Sequence, residues 1–235
     1  MKRFFLLLGG ILFLSLPANA QFNPNPVLNI ENKDKKLLNY GYFLGFNRYG
    51  FKFDYKQDSG NQISDVQVTQ TTGFNVGLIG ELRLNEFLDL RFEPGLYYNA
   101  RNVGFIGFDD PKKALREVKS TYINFPILLK IGTRRYGNFK PFLVAGPSAS
   151  LNLGSNEKSL DDNSSGTFRM NKWSYNYELG FGIDFYLEYF KFTPSIRGVF
   201  GLTDEIVRDN DPNSQWTGNI ESMKTRGLFI NFTFE

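Results

Sequence analysis

Nine charged side chains stand at strand-like spacing along this 235-residue chain: Glu81 and Arg83, then Asp89, Arg91 and Glu93, then Lys130, Glu178, Asp184 and Arg197. In a strand, residues two or four apart share a face, so each group can point into one common space. Such a set offers three kinds of chemistry. Two close carboxylates can share a proton and serve as acid and base. A charged wall can line a conducting pore. Opposite charges can also pair with one another and serve structure alone. Four of the nine are basic and five acidic, a near-balance that favours mutual pairing.

Other chemistries are closed by composition. The chain has no His and no Cys, which removes Ser-His-Asp hydrolysis, histidine-ligated metals and thiolate sites. Asp209, Asp211 and Asn213 open like a calcium loop, but Ser214 stands where Gly is required and Ile220 where the bidentate Glu belongs. Asp211-Pro212-Asn213-Ser214 reads instead as a turn. Asp110-Pro111 predicts an N-cap and first turn for a short helix over 112–118. Gly180 and Gly182 fall in mid-strand with no helix following, so they make room for neighbours and cradle no phosphate. No cofactor, metal or small-molecule substrate is expected. Trp216 lies in a long polar stretch, where it can anchor a partner or pack its own loop.

The elements that must position these groups are strands. Period-two alternation predicts eight, near 39–47, 73–84, 88–99, 121–133, 139–153, 173–185, 190–202 and 225–234. Phe51, Phe53 and Tyr55 offer an extension of the first beyond Gly50. The second pairs an apolar face of Phe74, Val76, Leu78, Leu82 and Leu84 with Asn75, Gly77, Glu81 and Arg83. The sixth pairs Trp173, Tyr175, Tyr177, Leu179, Phe181, Ile183 and Phe185 with Ser174, Asn176, Glu178, Gly180, Gly182 and Asp184. The facing of the fifth strand is not fixed by its sequence.

Connections alternate between long (56–72, 101–120, 154–172, 203–224) and short (85–87, 134–138, 187–189). Long outside and short inside is the pattern of a bacterial outer-membrane barrel. A soluble sandwich or lipocalin-like barrel would turn its apolar face inward and its charges outward. Here one face is apolar and unbroken while the other is small, polar and charged. The reading is therefore an all-β, eight-stranded antiparallel transmembrane β-barrel over 39–235, with four long extracellular loops and short periplasmic turns. An eight-stranded lumen is only wide enough for side chains, so the nine charges are expected to form a salt-bridge network that fills it.

The N-terminus supports export. Met1-Lys2-Arg3, the apolar run Phe4 to Leu16 and the small-x-small site Ala18-Asn19-Ala20 predict a cleaved signal peptide over 1–20. Residues 21–38 are then a periplasmic N-terminal segment. Removing residues 1–20 takes Lys2 and Arg3 from 27 basic residues and leaves 25 against 24 acidic, which gives no electrostatic case for nucleic acid. The expected partner is outer-membrane lipid.

Several stretches together resemble the PorT family of outer-membrane barrels: Tyr40 to Asn47, Tyr122 to Lys130, Lys140 to Ser148, Asp184 to Phe192 and Thr225 to Phe232. The resemblance covers nearly all of the chain after the signal. It implies an accessory role in the type IX (Por) secretion machinery, which exports folded cargo and supports gliding in some bacteria. It implies partners among the other components of that machinery, no catalytic residues, and a role distinct from the cargo pore. The alternative reading is a general small OmpA-like barrel that stabilises the envelope, or a narrow porin. Chain end Phe232-Thr233-Phe234-Glu235 departs from the commonest assembly signal, which finishes on an aromatic residue.

Overall fold

In hydrocarbon a backbone must satisfy its own hydrogen bonds, and strands do so only when both edges of each are paired. The computed structural model describes residues 27–56, 66–108 and 110–235. The expected export signal and residues 21–26 of the expected periplasmic segment lie outside them. Ten strand segments follow in order: β1 (Leu38–Tyr55), β2 (Val66–Gln70), β3 (Thr72–Arg83), β4 (Leu88–Phe92), β5 (Gly95–Phe105), β6 (Leu115–Gly132), β7 (Phe139–Asn152), β8 (Trp173–Tyr186), β9 (Lys191–Gly201) and β10 (Ile220–Phe234).

These segments make eight staves. β2 and β3 form one, interrupted at Thr71, and β4 and β5 form another, interrupted at Glu93-Pro94. Pro94 has no N–H to give, yet register survives it: Gly80 faces Phe92 before the break and Gly77 faces Gly95 after it. The Pro94 carbonyl still accepts from the Leu78 N–H at 3.0 Å.

The ring closes where β1 pairs antiparallel with both β3 and β10. Ladder partners can be followed once around it from Leu38, through Leu82, Leu90, Leu129, Ala145, Leu179, Gly198 and Leu228. The path returns to β1 at Arg48, ten residues above its start. Eight strands with this stagger tilt by about 40° and enclose a space just wide enough for side chains.

Facing follows the alternation. Tyr40, Leu78 and Leu179 are more than half exposed, whereas Phe43, Tyr97 and Phe229 are fully buried in the lumen. β7, whose facing the sequence left open, buries Lys140, Phe142, Val144, Ser148 and Ser150 and turns Leu143 outward. The apolar outer face meets lipid, and the inner face is packed.

The strands are longer than their outward-facing apolar runs predict. β1 continues unbroken through Gly50 to Tyr55, β5 reaches Phe105, β6 starts at Leu115, and β10 starts at Ile220. β2 occupies part of what the sequence assigns to the first long loop. The helix expected over 112–118 is one turn, α1 (Pro111–Ala114), capped by the Asp110 carboxylate on the Lys112 N–H at 2.9 Å. Leu115 to Val118 belong to β6, where they pair with β5.

One physical change explains the discrepancy. Below Tyr49 the apolar residues of β1, apart from Phe43, face outward. Above it Phe51, Phe53 and Tyr55 pack inward against Val66, Val103, Phe105, Val118, Ile220 and Met223. The wall has left the lipid, and outside is now water, so polarity inverts within a continuous strand.

This facing carries a depth test. Leu179→Arg, at mid-strand on the outer face, should cost about 2–4 kcal/mol of folding free energy, and Tyr40→Arg near the periplasmic edge about 0–1 kcal/mol. Denaturant unfolding in lipid vesicles measures both. Equal costs would mean that the belt is misplaced.

Candidate functional site

The inward faces of β3, β4, β6, β8 and β9 bring the charged residues together in the periplasmic half of the lumen. Lys130 sits between Asp184 at 2.7 Å and Glu81 at 3.2 Å. Glu81 also faces Lys191 at 3.2 Å and Arg91 at 3.5 Å. Arg91 pairs with Glu93 at 2.9 Å, and Glu93 with Arg197 at 2.7 Å. Arg197 reaches Glu178 at 3.5 Å, and Glu178 accepts the Asn124 amide at 2.8 Å. Thr193 donates to Asp184 at 2.8 Å. Every one of these carboxylates has a cation beside it. Lys130 bridges Glu81 to Asp184 and Arg197 bridges Glu93 to Glu178, so each close pair of carboxylates has a cation between its members.

Seven of the nine predicted residues join directly. Asp89 stands at the edge, 3.9 Å from Lys140. Arg83 is half-buried at the periplasmic mouth and forms no ion pair among the described residues. Sequence reasoning missed three members. Lys140 lies on the strand whose facing was open. Lys191 is the first residue of β9, and counting back by twos from Arg197 would have placed it inward. Glu235 turns its side chain into the lumen, where it pairs with Lys191 and with Arg91 at 3.3 Å. With these three the set holds six cations (Arg83, Arg91, Lys130, Lys140, Lys191, Arg197) and six carboxylates (Glu81, Asp89, Glu93, Glu178, Asp184, Glu235).

Above the charges the lumen is filled twice more. Phe43, Tyr49, Tyr97, Tyr122 and Phe229 form an aromatic cluster across the barrel, with Tyr97 and Phe229 ring centres 4.9 Å apart. Beside it Asn75 donates to Asn231 over Gly45 of β1, the residue paired with both, and Ser150 joins Asn124 to Asn176. Arg101 caps this layer: fully buried, it donates to the Tyr122 hydroxyl at 2.6 Å and lies 4.1 Å over the Phe51 ring. The inverted upper strands then close over Phe168, Met170 and Ile206 from the third and fourth loops.

Trp216 belongs to this upper structure. Its ring stacks on Phe108 at 4.9 Å, its indole N–H donates to the Lys113 carbonyl at 2.9 Å, and Arg116 lies 5.8 Å over it. The indole thus ties the fourth loop to α1. Asp209, from the apparent calcium motif, accepts from Asn163, Ser214 and Thr217. The Asn163 bond joins the third loop to the fourth, and among the described residues no group of three or more His, Cys, Asp or Glu side chains is placed to hold a metal.

The periplasmic mouth is covered as well. Asp34, in the one-turn helix Lys33–Lys35, accepts the Tyr186 hydroxyl at 2.7 Å and pairs with Arg135 at 3.3 Å. Arg135 also donates to the Asn29 carbonyl and stacks 3.7 Å over the Tyr186 ring. The Asn29 backbone N–H donates to the Asn138 side-chain oxygen at 2.9 Å. The void left between this segment and the charge network is about 10 Å³, room for about one water.

Residues 19–207 match the family described as outer membrane protein beta-barrel domain. No curated protein sequence is significantly similar to the chain. Among solved structures it is similar to Neisserial surface protein A, at 10% identity and a TM-score of 0.47, over 84% of this chain and 98% of that one. It is likewise similar to the outer membrane protein OprG of Pseudomonas aeruginosa, at 12% identity and 0.48, over 83% and 93%.

Removing one partner of a buried pair strands the other. Lys130→Met should therefore destabilise the barrel by about 3–5 kcal/mol. Arg134→Met, which breaks the exposed Arg134–Glu86 pair, should cost less than about 1 kcal/mol. Urea unfolding compares them, and similar losses would show that the network does not hold the lumen together.

Proposed function

The chain belongs to the outer membrane protein beta-barrel domain family, and from that premise we propose that it works as a binding barrel of the outer membrane, neither enzyme nor channel. The observation that carries this reading is the filled lumen. Ion pairs, aromatic rings and a loop cap occupy it from one end to the other, so work falls to the outer wall, the loops and the periplasmic end. A small envelope-stabilising barrel is the function that needs nothing more.

A second reading is accessory service to the type IX secretion machinery. The resemblance to PorT over Asp184 to Phe192 supports it, because those residues build the periplasmic mouth. Asp184 holds Lys130, Tyr186 holds Asp34, and Lys191 holds Glu81. On this reading the periplasmic face, with its docked N-terminal segment, is the contact for other components.

A clean deletion strain separates the two. An envelope barrel predicts leakage of periplasmic proteins and sensitivity to detergents, with secretion intact. The secretion accessory predicts that type IX cargo accumulates in the periplasm while other outer-membrane proteins arrive normally. A strain with neither defect would contradict both.

A further inference from the structure

The outer wall is not uniform where it leaves the lipid. On β1 and β10 the outward positions change from apolar to basic within one step: Phe46 gives way to Arg48 and Lys52, and Leu228 to Arg226 and Lys224. Lys52 stands directly opposite Lys224 in the ladder, and Arg226 opposite Gly50. Like charges facing each other across a strand pair are destabilising, so something of opposite sign is needed nearby. Asp54 supplies part of it, 2.9 Å from Lys52 and bonded to Ser222. Among the described residues Arg226 reaches only the neutral carbonyls of Gly201 and Thr225, and it lies over the Phe200 ring. Neither Arg48 nor Lys224 forms an ion pair among the described residues, although Lys224 lies near enough to Asp54 to share its charge.

Directly beneath these cations the outer wall carries an apolar groove of about 680 Å³, lined by Leu44 and Phe46 of β1, Phe74 and Val76 of β3, and Phe232 and Phe234 of β10. Its upper end is Phe46, two residues or ~7 Å along the strand from Arg48. The groove faces hydrocarbon and the cations face the headgroup layer of the outer leaflet, because the long loops mark the extracellular end.

We propose that this face is a docking surface for a phosphorylated lipid of the outer leaflet. Its phosphate lies among Arg48, Lys52, Lys224 and Arg226, and an acyl chain lies in the groove below. Charge complementarity selects the headgroup, and the groove distinguishes a lipid from free phosphate. Cations of this kind attract an anionic lipid surface one by one, and the half-exposed aromatic Phe200 beside Arg226 suits the interfacial layer.

The test uses the full chain purified in detergent, titrated with diphosphorylated lipid A and with the same lipid after dephosphorylation. The wild type should prefer the phosphorylated form. The double variant Arg48→Gln/Lys224→Gln should lose roughly thirtyfold in affinity for it, the effect of two cations near an anionic surface, and keep its affinity for the dephosphorylated form. Val76→Trp, which fills the groove, should weaken both forms. Heat-modifiable migration confirms that each variant is folded. Equal binding of the two lipids by the wild type, or an unchanged preference in the double variant, would overturn the proposal. So would full displacement of the lipid by millimolar inorganic phosphate, or unaltered binding by Val76→Trp.

Discussion

Closure of β1 onto β10 is the constraint on which the rest of this structure depends. Antiparallel pairing of Tyr42 with Phe234 through Lys52 with Lys224 removes the last free sheet edge, without which no strand could lie in hydrocarbon. Eight staves with a ten-residue stagger fix the radius, and the radius leaves no water column inside. Whatever faces inward must then fit and must find its partners there. The six cations and six carboxylates answer that demand, and so do the rings of Phe43, Tyr97 and Phe229.

The same closure explains how the wall can change character along its length. The ladder between β1 and β10 continues past the membrane surface to Tyr55 and Ile220, so the barrel rises above the lipid without a hinge. Only the solvent outside changes. In lipid the apolar residues face out and the charged ones in. Above it the barrel behaves as a soluble one, with Val103, Phe105, Ile220 and Met223 inside and Lys52, Asp54 and Lys224 outside. The loops need only seal an apolar end, which Phe168, Met170 and Ile206 do. The carboxylates that shape those loops are satisfied locally. Two bonds from Ser164 and one from the Asn210 backbone N–H hold the Asp162 carboxyl below the usual carboxylate range. Burial pushes Glu205 the other way, against two bonds from Thr225.

Much of this was legible in the sequence because period two maps directly onto inside and outside. Residues such as Leu179 and Glu178, adjacent and opposite in character, could be assigned to opposite faces before any coordinates. Reading failed where that rule lost its reference. Phe51 and Phe53 keep strict alternation but in the opposite phase to Phe46, so they look like a break when they mark the lipid boundary. In β7 the apolar residues Phe142, Leu143 and Val144 are consecutive and Ala145 to Ser150 are small residues and a proline, so neither stretch declares a side. Lys191 and Glu235 were hidden at strand ends, where boundary errors of one or two residues decide whether a charge counts as lumen or turn. The cork built from Asn29, Asp34, Arg135 and Tyr186 left no sequence signal, because its contacts span more than a hundred residues and have no period.

The proposed function has the barrel act through its surfaces, and it rests on the closed lumen. Its most direct measurement is the conductance of the purified full chain reconstituted in a planar lipid bilayer. With the lumen filled from the Asp34 cork to the loop cap, the account predicts a bilayer that stays at baseline across the applied voltages. A steady, reproducible open level carried by the folded barrel would contradict it, because ions would then be crossing a space that the ion-pair and aromatic layers are said to occupy.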